Sequence, residues 1–123
     1  MGIALWVVQA LLAAVFLRSG ATKLSQPKEK LVKNMAVLED FSQGVVYTIG
    51  ALEISGAIGV VLPALVGVLP WLTPLAALGL ALTMIGASLK HLGRAEYGPI
   101  AVTAVLLVLA AFVAYGRFFV LPA

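Results

Sequence analysis

Arg18, Lys23, Glu53 and His91 are the residues of this sequence whose types permit ion pairing, proton exchange or the holding of a polar ligand. All four lie inside or at the margin of long apolar stretches. Arg18 precedes Lys23 by five residues, so on a helix it sits about 7–8 Å further inward. Glu53 follows Val45 by eight, which is about 12 Å into its stretch by the same rise. A charge at the centre of a membrane helix costs about 2.5–3.5 kcal/mol on insertion scales, so neither side chain is expected to face lipid. Arg18 shares a helical stripe with Ala14, Ala21 and Thr22, and Glu53 shares one with Gly50, Gly56 and Ala57. Small residues in such stripes let helix backbones approach closely. Both charges are therefore expected to point into a bundle. The functional reading is a polar cavity in which Glu53 faces Arg18, Lys23 or both. The plainer reading is an ion pair that fixes helix packing, and the spacing leaves the partner open.

His91 falls within Ser88-x-x-His91-x-x-Arg94-x-Glu96, at the end of an apolar stretch. From the rim of a cavity it would exchange protons near neutral pH, and otherwise it would bond headgroups or a neighbouring loop at the interface. With no second histidine and no cysteine in the chain, paired haem ligation and thiolate metal sites are excluded. Lys90 and Arg94 carry charge that suits the phosphate of a lipid headgroup. Gln9 is nine residues from Arg18, about half a revolution away, and is expected to meet a different partner, the fourth helix. No phosphate loop, nucleophile elbow or metalloprotease spacing occurs. No residue is assigned as catalytic and no metal site is expected. The sequence by itself contains no active site.

The elements that must position these residues follow from composition. The chain has 123 residues, 63% apolar and 11% charged, where soluble domains run near half and a quarter. Four apolar stretches, at about 3–24, 45–65, 73–89 and 99–120, are each long enough to cross a bilayer as a helix. The third is the shortest and is expected to stand nearly upright or to thin the bilayer locally. An all-α bundle of four transmembrane helices in a single membrane domain, residues 1–123, is the expected architecture. Lys23, Lys28, Lys30, Lys33, Lys90 and Arg94 flank one side of the spans, and Arg117 alone flanks the other. This bias predicts a multi-pass cell-membrane protein with both charged loops in the cytoplasm and both termini outside. The same bias accounts for the basic charge without nucleic acid. Between the first two spans, Leu31, Met35, Leu38 and Phe41 recur at near-helical spacing in residues 25–43, with Pro27 in the first turn. A short amphipathic helix on the cytoplasmic surface is expected there. Residues 66–72, which include Pro70 and Trp71, read as a tight turn at the opposite face.

Three segments taken together carry a resemblance: FLRSGATKL (16–24), GALEISGAIGVVLP (50–63) and HLGRAEYGPIAVTAVLLVLAAFVAYGRF (91–118). Their order and spacing, with Lys23 after Gly20 and Glu53 after Gly-Ala-Leu, resemble the DoxX-like membrane proteins over nearly the whole chain. The resemblance implies a four-helix membrane bundle. It also implies two classes of function, because relatives include a subunit of thiosulfate:quinone oxidoreductase and a distant animal chaperone that assembles receptors. One class is a non-catalytic membrane subunit or assembly and anchoring factor with a buried polar site. The other is a quinone-binding subunit of an oxidoreductase complex. Expected partners are the lipid bilayer and another membrane protein, an oxidoreductase or a second copy of the chain. No cofactor is expected beyond a quinone in the second class, since the chain lacks an electron carrier of its own. Transport is the third reading. Four-span exporters place their essential glutamate in the first span and balance their loop charge, unlike this sequence.

Overall fold

The structure, a computed structural model, describes residues 2–33 and 35–120. Residues 121–123, which the expectation about the C-terminus concerns, lie outside the described residues. Helix α1 spans Gly2–Ser25. It stops because Pro27 drives the residue before it away from helical geometry, and Pro27 itself is extended at φ −66°, ψ 149°. The expected connector helix follows as α2, Lys28–Val32, but it is only five residues long. Met35 then takes φ −139°, ψ 82°, and a 3-10 turn covers Ala36–Asp40. One continuous helix through this segment is therefore ruled out. Its apolar spacing still finds its purpose, because Leu31 and Leu38 pack with Val46 in a small cluster of their own.

The second span comes in two pieces, α3 (Gln43–Gly59) and α4 (Leu62–Val66). Pro63 lacks an amide proton and breaks the ladder at Val60 and Val61. Two groups freed by that break find partners elsewhere, as a dry environment requires. The Ala64 N–H donates to Thr73 Oγ1 at 3.1 Å, and the Val60 carbonyl accepts from Gln9 Nε2 at 2.6 Å. Helix α5 (Leu72–Gly93) runs a turn beyond the expected limit at residue 89, so Lys90 and His91 ride on its last turn. Helix α6 (Tyr97–Tyr115) continues into a π-helical turn, Gly116–Val120.

Helix α1 packs mainly on α3 and α5 on α6, and the two pairs join through α3 with α5 and α1 with α6. Leu12, Phe16, Val60, Leu80, Met84 and Val113 form the main core. Large apolar side chains such as Ile3, Val7, Leu11, Leu82, Val105 and Val108 point outward. Outside a bilayer such a surface is untenable; inside one it is the ordinary lipid face. Four helices are long and apolar enough to cross a membrane: Gly2–Ser25, Gln43–Val66, Leu72–Gly93 and Tyr97–Val120. No strand occurs among the described residues.

Candidate functional site

Gly20 and Gly50 decide where α1 and α3 meet. A Cβ on Gly20 would lie 2.6 Å from the Gly50 carbonyl oxygen, so only glycine permits this approach. Each glycine stands three residues before a charge, Lys23 on α1 and Glu53 on α3. The close crossing brings those charges together, with Lys23 Nζ 2.8 Å from Glu53 Oε1. Ser19, one helical turn before Lys23, completes the group. The Lys23 ammonium donates to Ser19 Oγ at 2.6 Å, and the Ser19 hydroxyl donates to Glu53 Oε2 at 3.0 Å. Both charged side chains are buried, at 8% and 5% exposure.

Arg18 takes no part, which corrects the expectation that it points into the bundle. It is exposed, and its backbone carbonyl accepts from Thr22 Oγ1. The reason is rotational. Five residues at 100° place Arg18 and Lys23 about 140° apart, so one helix cannot aim both at α3. Its long stem is suited to carry the charge along the helix toward the interface.

His91 is buried at the end of α5, its Nδ1 2.9 Å from Glu96 Oε1. A left-handed residue makes this contact possible. Ala95 adopts φ +56°, and the chain turns back so that the Glu96 N–H reaches the His91 carbonyl and the Ala95 N–H that of Leu92. This is a Schellman cap with alanine in the place glycine usually takes. The hydrogen bond from His91, then that from Arg94, holds the Glu96 carboxyl below the usual carboxylate range.

Lys90 and Arg94 do not stand open toward headgroups as the sequence suggested. Both turn to Asp40 on the connector. Arg94 Nη1 donates to Asp40 Oδ1 at 2.9 Å, and Lys90 Nζ lies 3.3 Å from Oδ2. The hydrogen bond from Arg94 is the largest cause of the lowered Asp40 pKa. Lys90 also lies over the Phe41 ring, 5.5 Å from its centroid.

Ser19, Lys23, Glu53, Lys90 and His91 line a cavity of about 400 Å³. Lys23, Ser19 and Glu53 form a polar spot on one wall, and His91 and Thr103 belong to the wall made by α5 and α6. Phe16, Met84 and Leu106 supply apolar surface, and Met35, Leu38 and Phe41 add the connector to the lining. A second hollow shares Met35, His91 and Thr103 and adds Lys33, Ala36 and Glu96. His91 thus lines both hollows. Lys23, Glu53, His91 and Lys90 line a common space, whereas Arg94 pairs with Asp40 and Glu96.

Four participants escaped sequence reasoning. Ser19 had a signal, its four-residue offset from Lys23. Asp40 had none, because its cations are about fifty residues away. At the far end of the bundle, buried Arg117 donates from Nε to Gln9 Oε1 at 2.9 Å and lies over the Trp6 ring at 5.1 Å. The sequence placed Arg117 at a membrane flank, but the π-helical turn rotates it inward. Glu96 appeared only as a neighbour in the His91 segment and proves to be its hydrogen-bond partner. Gln9 does reach the fourth span, as its half-turn offset from Arg18 suggested.

The DoxX-like family matches residues 7–113 of this chain. The chain belongs to the DoxX-like family. Comparison with curated proteins and with solved structures gave no match. Among the described residues of this DoxX-like protein, no group of three or more His, Cys, Asp or Glu side chains is placed to hold a metal ion.

Proposed function

We propose that this DoxX-like protein is a non-catalytic membrane subunit that holds a small amphipathic molecule between its helices. The carrying observation is the buried Ser19–Lys23–Glu53 group on the wall of an otherwise apolar cavity. Apolar pockets with a few placed polar groups are the usual form of a small-molecule site, and the volume is within the range for one. Three hydrogen-bonding side chains hold and orient a ligand, but none of them carries electrons. Any redox step therefore needs a partner protein or a redox-active ligand. The basic bias of the connector side supports placing the cavity mouth toward the cytoplasm.

A second reading takes the ligand as a quinone. His91 favours it, since a planar ring lying between the Glu53 wall and the His91 wall would have a polar group at each end. Mass spectrometry of the protein purified in mild detergent tests both readings. A stoichiometric small molecule that is lost on Glu53→Gln supports the site. If that molecule is a quinone and is lost also on His91→Ala, the second reading replaces the first. No copurifying small molecule, in the presence of intact protein partners, leaves only an anchoring role and sinks the proposal.

A further inference from the structure

The connector is attached to the bundle unevenly. At its α3 end, Leu31 and Leu38 pack on Val46, and the Lys28 N–H donates to Gln43 Oε1 at 2.9 Å. Over the cavity mouth, its polar tether to α5 is the Asp40 carboxylate shared between Lys90 and Arg94, with Phe41 under Lys90. Those contacts lie among partly exposed side chains, where water competes and ion pairs hold weakly. Met35 and Phe41 line the cavity from the same segment, while Leu38 stays packed with Val46, so displacing Asp40 loosens the connector where it covers the cavity.

Lys90 and Arg94 occupy the last turn of α5 and its cap, where the helix leaves the apolar zone, and the exposed Tyr97 ring follows at the level typical of headgroups. Two cations that grip the two oxygens of one carboxylate are equally suited to two oxygens of a phosphodiester. An anionic leaflet holds such groups at high local concentration beside this pair.

We propose that Asp40 is an internal competitor for a phosphate site formed by Lys90 and Arg94, and that an anionic lipid headgroup, by displacing it, opens the connector over the cavity. The idea rests on the cavity being the binding site, but it concerns access rather than occupancy. An anionic leaflet would thus admit the ligand, and a neutral one would keep the mouth closed.

The absence of native cysteine allows a direct test. Ala87→Cys puts a thiol on the cavity wall beneath the connector, and Glu29→Cys puts one on its exposed face as a reference. Each full-length variant is reconstituted in phosphatidylcholine vesicles, with or without phosphatidylglycerol, and treated with an uncharged water-soluble maleimide. The rate at Ala87→Cys relative to Glu29→Cys is expected to rise several-fold with phosphatidylglycerol. Adding Asp40→Asn should give the fast rate in both lipids, and adding Lys90→Gln with Arg94→Gln should abolish the lipid effect. Inorganic phosphate added to phosphatidylcholine vesicles should change nothing; an equal rise there would assign the site to free phosphate and overturn the lipid claim. A rate unaffected by phosphatidylglycerol, or a rise that survives loss of both cations, overturns the proposal. Labelling reads the connector with no ligand present, so failure here and failure to copurify a ligand are separate results.

Discussion

The balance at Lys23 and Glu53 is held by two buried charges that satisfy each other, with Ser19 bridging them. Removing one charge leaves the other uncompensated in a dry site, at a cost of about 3–5 kcal/mol. Glu53→Gln should therefore lower the melting temperature in detergent markedly, and the exchange Lys23→Glu with Glu53→Lys should recover part of the loss. Arg18→Gln should shift stability by no more than about 0.5 kcal/mol, as for other surface positions. A destabilising Arg18→Gln with a neutral Glu53→Gln would reverse this assignment. At the other end, Gln9 serves two acceptor and donor needs at once, the Val60 carbonyl and the Arg117 guanidinium. Gln9→Leu keeps most of the volume but removes both bonds, and should cost about 1–3 kcal/mol, chiefly from the buried Val60 carbonyl. Thermal unfolding followed by circular dichroism measures it; an unchanged midpoint would mean that water takes over both bonds.

Among the elements, α1 and α3 depend on backbone approach more than on apolar bulk. Gly20→Ala would set a methyl against the Gly50 carbonyl and against Ile54, neither of which yields without moving a helix. A loss of about 1–3 kcal/mol is expected from such overpacking. Because the same crossing brings Lys23 to Glu53, Gly20→Ala combined with Glu53→Gln should be less than additive in denaturation. Full additivity would show that the crossing and the ion pair are independent. The connector responds to pH instead. Asp40 and Glu96 are both held below their ordinary values, so their folded-state contribution is complete above the unfolded carboxylate pKa values. It is lost as pH falls through the lowered folded values. Hydrogen-exchange protection in residues 28–41, taken relative to the intrinsic rate at each pH, should fall as the pH drops below the ordinary carboxylate range, and Asp40→Asn should show the low protection already at neutral pH. Protection that is flat across that range would remove Asp40 as the tether.

For the whole molecule, charge along the chain sets orientation and apolar girth sets the solvent. Six of the seven flanking basic residues lie on the connector side, so that side is expected in the cytoplasm. In intact cells an impermeant thiol reagent should label Gly2→Cys and spare Lys30→Cys. The opposite pattern would invert the protein and put the cavity mouth on the outer face.

Four spans, the family and the intramembrane position of Glu53 were legible in the sequence, because a bilayer tests hydropathy over about 20 residues and that sum is local. Periodicity also marked the α3 stripe that carries Gly50, but on α1 it marked the face of Arg18, Ala14 and Ala21 and not Gly20, where the helices meet. The partner of Glu53 was not legible. Arg18 and Lys23 differ by 140° around one helix, and only the crossing point at Gly20 and Gly50 selects between them. The connector misled for a related reason: apolar spacing records burial, and Leu31 and Leu38 are buried together without sharing one helix. Arg117 turned inward because a π-helical turn shifts the register after Tyr115, a local change of backbone that hydropathy does not register. The Asp40 bridge joins residues about fifty positions apart. Long-range pairs of single charges carry no periodic signal, so tertiary structure alone decided that the basic end of α5 is held by the connector.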